Sequence, residues 1–163
     1  MNYFELFGLK EAPIADKGVL ALKYFELQKK FHPDFYTKEN EAEQENATMQ
    51  SAEINKAFNI FRDPEKTIEY YLQLKGVITP GEKYDLPPEF LMEMMEINES
   101  FDEPDEKGTE SRVTAYEKEL FTGVRSLLQV DNAAVLTAAE LQELKSYYYK
   151  KKYLKRILER LDD

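Results

Sequence analysis

The chain has 163 residues, a net charge of −10, one histidine, and neither cysteine nor tryptophan. The lack of cysteine excludes disulfides, thiolate metal sites, cysteine-bound iron–sulfur clusters and thiol nucleophiles, and one histidine excludes a His–His metal pair. The negative charge argues against a nucleic-acid binder or a partner of anionic membranes. We expect no cofactor. We also expect a cytoplasmic protein, because the N-terminus lacks a secretory signal and no stretch is apolar enough to span a bilayer.

Helical spacing of apolar residues along most of the chain predicts an all-α fold. A short helix is expected to end at Gly8, and a second, capped by Asp16, to end at His32 because Pro33 disfavours helical backbone in the residue before it. After a polar stretch from residue 36 to 44, a third helix is expected. A fourth begins at the Asp63-Pro64-Glu65 cap and stops near Gly76.

The densest cluster of helix breakers contains Pro80-Gly81 and Pro87-Pro88. It predicts a linker over residues 77–86, between a domain of residues 1–76 and a second domain of residues 87–163. The second domain contains three helical patterns, which predict a three-helix bundle over residues 87–103, 110–130 and 137–161.

The acidic excess is concentrated around this boundary. Residues 77–110 hold eleven acidic and two basic residues, a net charge of −9, whereas the segments on either side are nearly neutral. Although acidic runs are often only solubilising surfaces, this uneven distribution indicates a local recognition feature.

The only histidine lies in His32-Pro33-Asp34, at the turn between two long amphipathic helices. By itself the tripeptide is a helix stop, but a YFELFGL helix precedes it and an Ile54-Asn55-Lys56-Ala57-Phe58 run follows it. This ordered set resembles the J-domain of DnaJ-type co-chaperones, which implies a helical hairpin whose HPD loop engages a DnaK-type ATPase. The resemblance also implies that three lysines of the second helix steer this contact: Lys23, Lys29 and Lys30.

One residue departs from the J-domain pattern. These domains commonly carry Arg near the start of the fourth helix, where this chain has Thr67. The departure bears on any contact made by the fourth helix, but not on a contact made by the HPD loop.

The helix after the linker has two apolar faces. Phe90, Met94, Ile97 and Phe101 form the natural core stripe. The second face is rich in methionine and bordered by carboxylates, and consists of Leu91, Met92, Met95, Glu96, Glu99 and Glu103. Its pattern fits a partner surface, but equally a surface packed on the first domain or on a second copy. Since no calcium-loop glycine or Glu-x-x-His pair accompanies the glutamates, we expect neither a catalytic residue nor a metal ligand here.

Along its whole length the chain resembles the HscB family of iron–sulfur assembly co-chaperones. The specific pieces are the first nine residues, the end of the first domain at residues 69–76, and Phe90-Leu91-Met92-Glu93. The resemblance implies that the C-terminal bundle binds the scaffold protein IscU through the second face. It also implies a contact from Tyr153, which lies in a Lys152-Tyr153-Leu154 context and away from most of the predicted seam of its helix.

The sequence therefore predicts a monomeric, non-enzymatic co-chaperone. It would stimulate the ATPase of a DnaK- or HscA-type chaperone and deliver an IscU-type scaffold to it. Two alternatives stay open at this point: a J-domain adaptor whose acidic Met/Glu surface recruits another client, and an acidic helical enzyme or metal binder.

Overall fold

The computed structural model of the protein describes residues 1–100, 106–129 and 135–161. The described residues are helical apart from their connections and contain no strand, which confirms the predicted all-α class. Their helices are α1 (Tyr3–Phe7), α2 (Lys17–Phe31), α3 (Glu41–Phe61), α4 (Pro64–Leu74), α5 (Pro88–Ser100), α6 (Glu106–Val124) and α7 (Ala138–Leu161), with 3₁₀ turns at Pro33–Tyr36 and Arg125–Leu128.

The chain divides into two compact units. The first comprises Met1–Tyr71, and the second begins at Leu72. In the first unit, α2 packs along α3 as a helical hairpin. Helix α1 closes one end of it, since Phe4 lies 4.9 Å from the ring of Phe61 and the Tyr3 N–H donates to the Tyr70 hydroxyl at 2.9 Å.

Local signals place most helix ends where they were predicted. Helix α1 ends at Gly8, which has φ 64°, a backbone conformation that favours glycine. Helix α4 starts at Pro64, and the Asp63 carboxylate accepts from the N–H groups of Glu65 and Lys66.

Helix α3 begins earlier than its apolar pattern indicated. Asn40 caps it by accepting from the Glu43 N–H at 2.8 Å, so the helix starts at Glu41, inside the polar stretch of residues 36–44. The first turns of this helix project into solvent, and a helix turn that buries nothing needs no apolar residue.

The second unit contains the expected three-helix bundle. Each of α5, α6 and α7 packs on the other two. Their shared core consists of Phe90, Met94, Ile97, Val113, Leu154 and Ile157. Helix α6 is α-helical only to Val124, and then tightens into the 3₁₀ turn instead of continuing to residue 130. Thr137 and Glu140 form the capping box predicted at the start of α7.

The segment predicted as a linker packs against α7. Tyr84 stacks on Tyr149 with ring centroids 4.3 Å apart, and Lys145 donates to the Val77 carbonyl at 3.1 Å. The Glu82 carboxylate accepts from the Tyr149 hydroxyl at 2.7 Å and pairs with Lys145 at 3.3 Å. The hydrogen bond from Tyr149, followed by the interaction with Lys145, lowers the pKa of Glu82 against the opposing effect of burial. This non-helical segment is thus held to the second unit.

Thr67, the residue that departs from the J-domain pattern, is a structural residue. Its side chain is only 1% exposed. The hydroxyl lies within 3.2 Å of three carbonyl oxygens, those of Ile60, Phe61 and Asp63, and so ties the end of α3 to the first turn of α4. A side chain enclosed in this way is not available to a partner.

Replacing Thr67 with Val should therefore lower the free energy of unfolding by about 1–3 kcal/mol, because an isosteric methyl cannot donate to these buried carbonyls. Chemical denaturation of the full chain measures this. Thr48→Val is the matched control, since Thr48 donates to the Gln44 carbonyl from an exposed position and its loss should cost less than about 0.5 kcal/mol. Equal losses in the two variants would contradict the structural role of Thr67.

Candidate functional site

The loop between α2 and α3 exposes the only histidine on a fixed backbone. His32 has an extended backbone (φ −61°, ψ 131°) and its N–H still donates to the Gln28 carbonyl at 2.8 Å, so it ends α2 as predicted. Pro33 then starts a 3₁₀ turn, in which the Phe35 N–H donates to the His32 carbonyl at 3.0 Å. Tyr36, the last residue of this turn, also holds the loop in place, because its hydroxyl donates to the Lys30 carbonyl at 2.7 Å.

The His32 ring is oriented by its neighbour. Its Nδ1 accepts from the Asp34 N–H at 3.2 Å, so in this arrangement Nδ1 carries no proton and Nε2 is the ring's donor. The Asp34 carboxylate lies 3.6 Å from the same Nδ1 and is 85% exposed, while the His32 side chain is 46% exposed. The turn therefore presents an imidazole N–H and a carboxylate side by side to solvent.

Polar contacts between α2 and α3 set the position of this loop. The Asn55 side-chain oxygen accepts from the Tyr24 hydroxyl at 2.8 Å and from the Gln28 amide at 2.9 Å. The Tyr24 ring also stacks on Phe58, with centroids 4.0 Å apart. These contacts fix one helix against the other. Asn55 and Phe58 belong to the run that carried the J-domain resemblance.

An apolar hollow of about 500 Å³ adjoins the loop. Its lining includes His32, Asp34, Lys29, Phe25 and Phe35, and both phenylalanines are 65% exposed. The sequence reasoning missed them, although the signal was available. One face of helix α2 buries Leu20. The helix carries a second apolar stripe on another face, and this exposed stripe includes Val19, Leu22 and Phe25.

The three lysines predicted to act with the loop have different surroundings. Lys29 lines the hollow beside His32. Lys30 is exposed and its ammonium lies 5.1 Å from the centre of the Phe31 ring. Lys23 lies beside Gly8, with Nζ 3.8 Å from the position that a Cβ would take there. Of the three, Lys29 is therefore the one whose side chain lines the hollow.

In the second unit, α5 divides into the two faces predicted for it. Phe90, Met94 and Ile97 lie in the bundle core. On the opposite side Met92 is 65% and Met95 60% exposed, and Leu91 is 36% exposed.

The carboxylates that border this exposed face are also solvent-accessible where the structure describes them. Glu96 and Glu99 are exposed, and Glu103, like the core candidate Phe101, lies outside the described residues. Glu93 differs from these two glutamates because its carboxylate accepts a hydrogen bond from the Tyr116 hydroxyl of α6. Burial, followed by this hydrogen bond, raises the pKa of the Tyr116 phenol to about 12. We call Leu91, Met92, Met95, Glu96 and Glu99 the α5 surface.

Tyr153 is less free than its helical position indicated. It is half-buried and packs edge-on against Phe90, with ring centroids 5.8 Å apart. The helical projection compared Tyr153 only with the seam of its own helix. Phe90 belongs to α5, and it packs against the side of Tyr153 that faces away from the seam of α7. Part of the ring still borders a hollow between α7 and residues 82–86.

Among the described residues, no group of three or more His, Cys, Asp or Glu side chains could hold a metal ion. Nor is any helix of the described part of the chain long and apolar enough to cross a membrane.

Comparisons with known proteins agree with this architecture. Residues 86–162 match a family model described as the HSCB C-terminal oligomerisation domain. A curated co-chaperone protein HscB homolog from Vibrio cholerae is 41% identical over 103 residues, which span 63% of this chain and 60% of that relative.

Two solved structures share the fold over 99% of this chain. The human co-chaperone protein HscB matches with a TM-score of 0.78 and 29% identity over 81% of its own length. Chaperone HscB from Vibrio cholerae matches with a TM-score of 0.62 and 30% identity over 99% of its length. The fold is therefore the one found in these co-chaperones. Within that class, the chain belongs to the HscB family.

Proposed function

We propose that the chain is a non-enzymatic co-chaperone that stimulates the ATPase of a DnaK- or HscA-type chaperone through its HPD loop and delivers an IscU-type scaffold to it. The scaffold would be bound by the α5 surface, so that iron–sulfur cluster assembly or transfer is coupled to the ATPase cycle. The observation that carries the proposal is the occurrence, in one chain of the HscB family, of a rigid exposed HPD loop and a separate exposed apolar–acidic helix face. We place it in the cytoplasm and keep the domain bounds 1–76, 77–86 and 87–163.

The HPD loop suits a contact that must be exact. Its backbone is fixed by proline, by the end of α2 and by the Tyr36 hydroxyl, so little conformational entropy is lost on binding. At the same time the side chains of His32 and Asp34 are exposed to solvent, where a partner could accept a hydrogen bond from Nε2 and donate one to the carboxylate.

The surroundings of the loop support a mixed apolar and basic contact. Phe25, Phe35 and Leu22 are each more than half exposed, and burying such a side chain contributes about 1.5–3 kcal/mol. An exposed lysine contributes far less to affinity but raises the association rate with an acidic partner. We therefore assign affinity to the phenylalanines, and steering to Lys29 with smaller contributions from Lys23 and Lys30.

The α5 surface supports scaffold binding for a similar reason. Its methionines are flexible and polarisable and can pack on an irregular partner, while the exposed glutamates select for a basic region beside an apolar one. Glu103 would extend the acidic border, and Tyr153 would contribute only the part of its ring that borders the α7 hollow. A J-domain adaptor with another client is the alternative for the same surface.

The α5 surface also has a second candidate role. The family model that covers residues 86–162 is described as an oligomerisation domain, and an exposed apolar helix face could join two copies of the chain. We propose that the chain is monomeric, because alternating Met and Glu on one face would bring like charges together across a two-fold axis.

Replacing His32 with Gln should reduce stimulation of a DnaK- or HscA-type ATPase to the unstimulated rate. Glutamine removes the imidazole N–H at an exposed position, so thermal stability should not change. Lys38→Gln is the control, an exposed change beyond the loop that should leave the steady-state ATPase rate unaltered. A rate undiminished by His32→Gln would rule out the J-domain role.

Replacing Leu91, Met92 and Met95 together with Ala should weaken IscU-type scaffold binding by about 3 kcal/mol, or roughly two orders of magnitude in Kd, since three exposed apolar contacts are lost. Calorimetry with the full chain measures this. Met49→Ala is the control, because it removes an equally exposed methionine side chain from α3. Unchanged affinity would exclude the surface as the scaffold site. A dimeric chain that the triple variant turns monomeric in sedimentation would favour the interface between copies.

A further inference from the structure

A second hollow lies in the second unit, between α7 and the segment that precedes α5. Its volume is about 240 Å³. Three tyrosines, Tyr84, Tyr149 and Tyr153, provide flat walls, and two cations, Lys152 and Arg156, stand at its edge. Nothing in the function proposed above uses Arg156, Tyr84 or Tyr149.

The charges of this hollow are unbalanced. Glu82, the carboxylate among the described residues that line it, accepts from the Tyr149 hydroxyl and pairs with Lys145, so its charge is already compensated. Lys152 and Arg156 are both exposed, and neither lies within ion-pair distance of a carboxylate among the described residues. Four residues apart on α7, they project from the same side of the helix. Among the described residues, the hollow therefore carries two positive charges without a paired carboxylate.

The other lysines of the basic run on α7 are placed differently. Lys150 lies over the Phe90 ring and Lys151 over the Tyr147 ring, each with Nζ 5.7 Å from the ring centre. Lys152 also lies over a ring, that of Tyr148, at 5.7 Å, but it lines the hollow as well. Of these three successive lysines, Lys152 is therefore the one placed beside a space that a ligand could enter.

The size of the hollow limits what it could hold. Pockets for cofactors and other small molecules are generally about 300–1,000 Å³, so this one is too small for a nucleotide or similar group. A single acidic side chain fits it better. The methylene groups would pack between phenol rings, and the carboxylate would meet the planar guanidinium of Arg156, which favours bidentate pairing with carboxylates.

We propose that this hollow receives an acidic side chain of the scaffold protein, an inference that rests on the scaffold binding proposed above. The α5 surface selects for a basic, partly apolar region through Glu96 and Glu99. The hollow selects for a carboxylate, and it adjoins the start of α5, because Tyr153 lines it and packs on Phe90. A partner must then present both charges in the right order, and this excludes proteins that are basic alone or bind in a reversed orientation.

The test is calorimetry of the full chain with an IscU-type scaffold, comparing Arg156→Glu with Lys118→Glu. Both residues are exposed in the same unit and both substitutions change the charge by two. Arg156→Glu should weaken binding by about tenfold or more in low salt, because it replaces attraction for a carboxylate with repulsion. The effect should shrink at about 0.5 M salt, and Lys118→Glu should change the Kd less than about twofold. Adding Lys152→Glu should weaken binding further.

The outcomes separate this inference from the function on which it rests. If Arg156→Glu binds like the unmodified chain while the triple alanine variant of the α5 surface loses affinity, the hollow is not part of the site and the proposed function stands. If the unmodified chain does not bind the scaffold, both are overturned. Because Arg156 is exposed, its variant should keep the melting temperature of the unmodified chain, and a large drop with no specific loss of binding would also contradict the assignment.

Discussion

A helix that packs against neighbours on one side can bury only one apolar stripe, and a second stripe must stay in water. Both candidate surfaces of this chain follow from that constraint. In α2, Leu20 lies in the core and Leu22 and Phe25 lie outside it. In α5, Met94 is fully buried while Met92 and Met95 are exposed. Apolar side chains that the fold leaves unburied lower the free energy of a complex, and in each helix they lie beside groups that make the complex selective.

Those neighbouring groups give the two surfaces different chemistry. The α2 stripe adjoins the imidazole and carboxylate of a loop that proline holds rigid, with Lys29 at its border. The α5 surface is bordered by glutamates and belongs to a unit that also holds a hollow lined by Lys152 and Arg156. The two surfaces share no side chain, so two partners of different charge would not compete for the same residues. The proposed function, in which one chain joins an ATPase to its client, requires this separation.

Much of this arrangement could be predicted from sequence because local chemistry determines it. Pro33 sets the end of α2, Thr137 and Glu140 cap α7, and helical spacing separates Met94 from Met95. Contacts between distant segments could not be predicted. Phe90 packs on Tyr153 from another helix, Tyr84 stacks on a tyrosine 65 positions later, and Thr67 is enclosed by the turn between α3 and α4. The exposed stripe of α2 was also detectable from the sequence, by the helical projection that separates the two faces of α5.

For the proposed coupling of ATPase and scaffold, one chain must carry both surfaces. The most direct test is the steady-state ATPase rate of an HscA-type chaperone with scaffold, measured with an equimolar mixture of two variants. His32→Gln keeps the α5 surface, and the triple alanine variant of that surface keeps the HPD loop. Since each mixed molecule supplies only one function, we expect the mixture to give no more scaffold-dependent stimulation than the triple variant alone. Recovery of the rate of the unmodified chain would contradict the account, because the surfaces would then act without being joined.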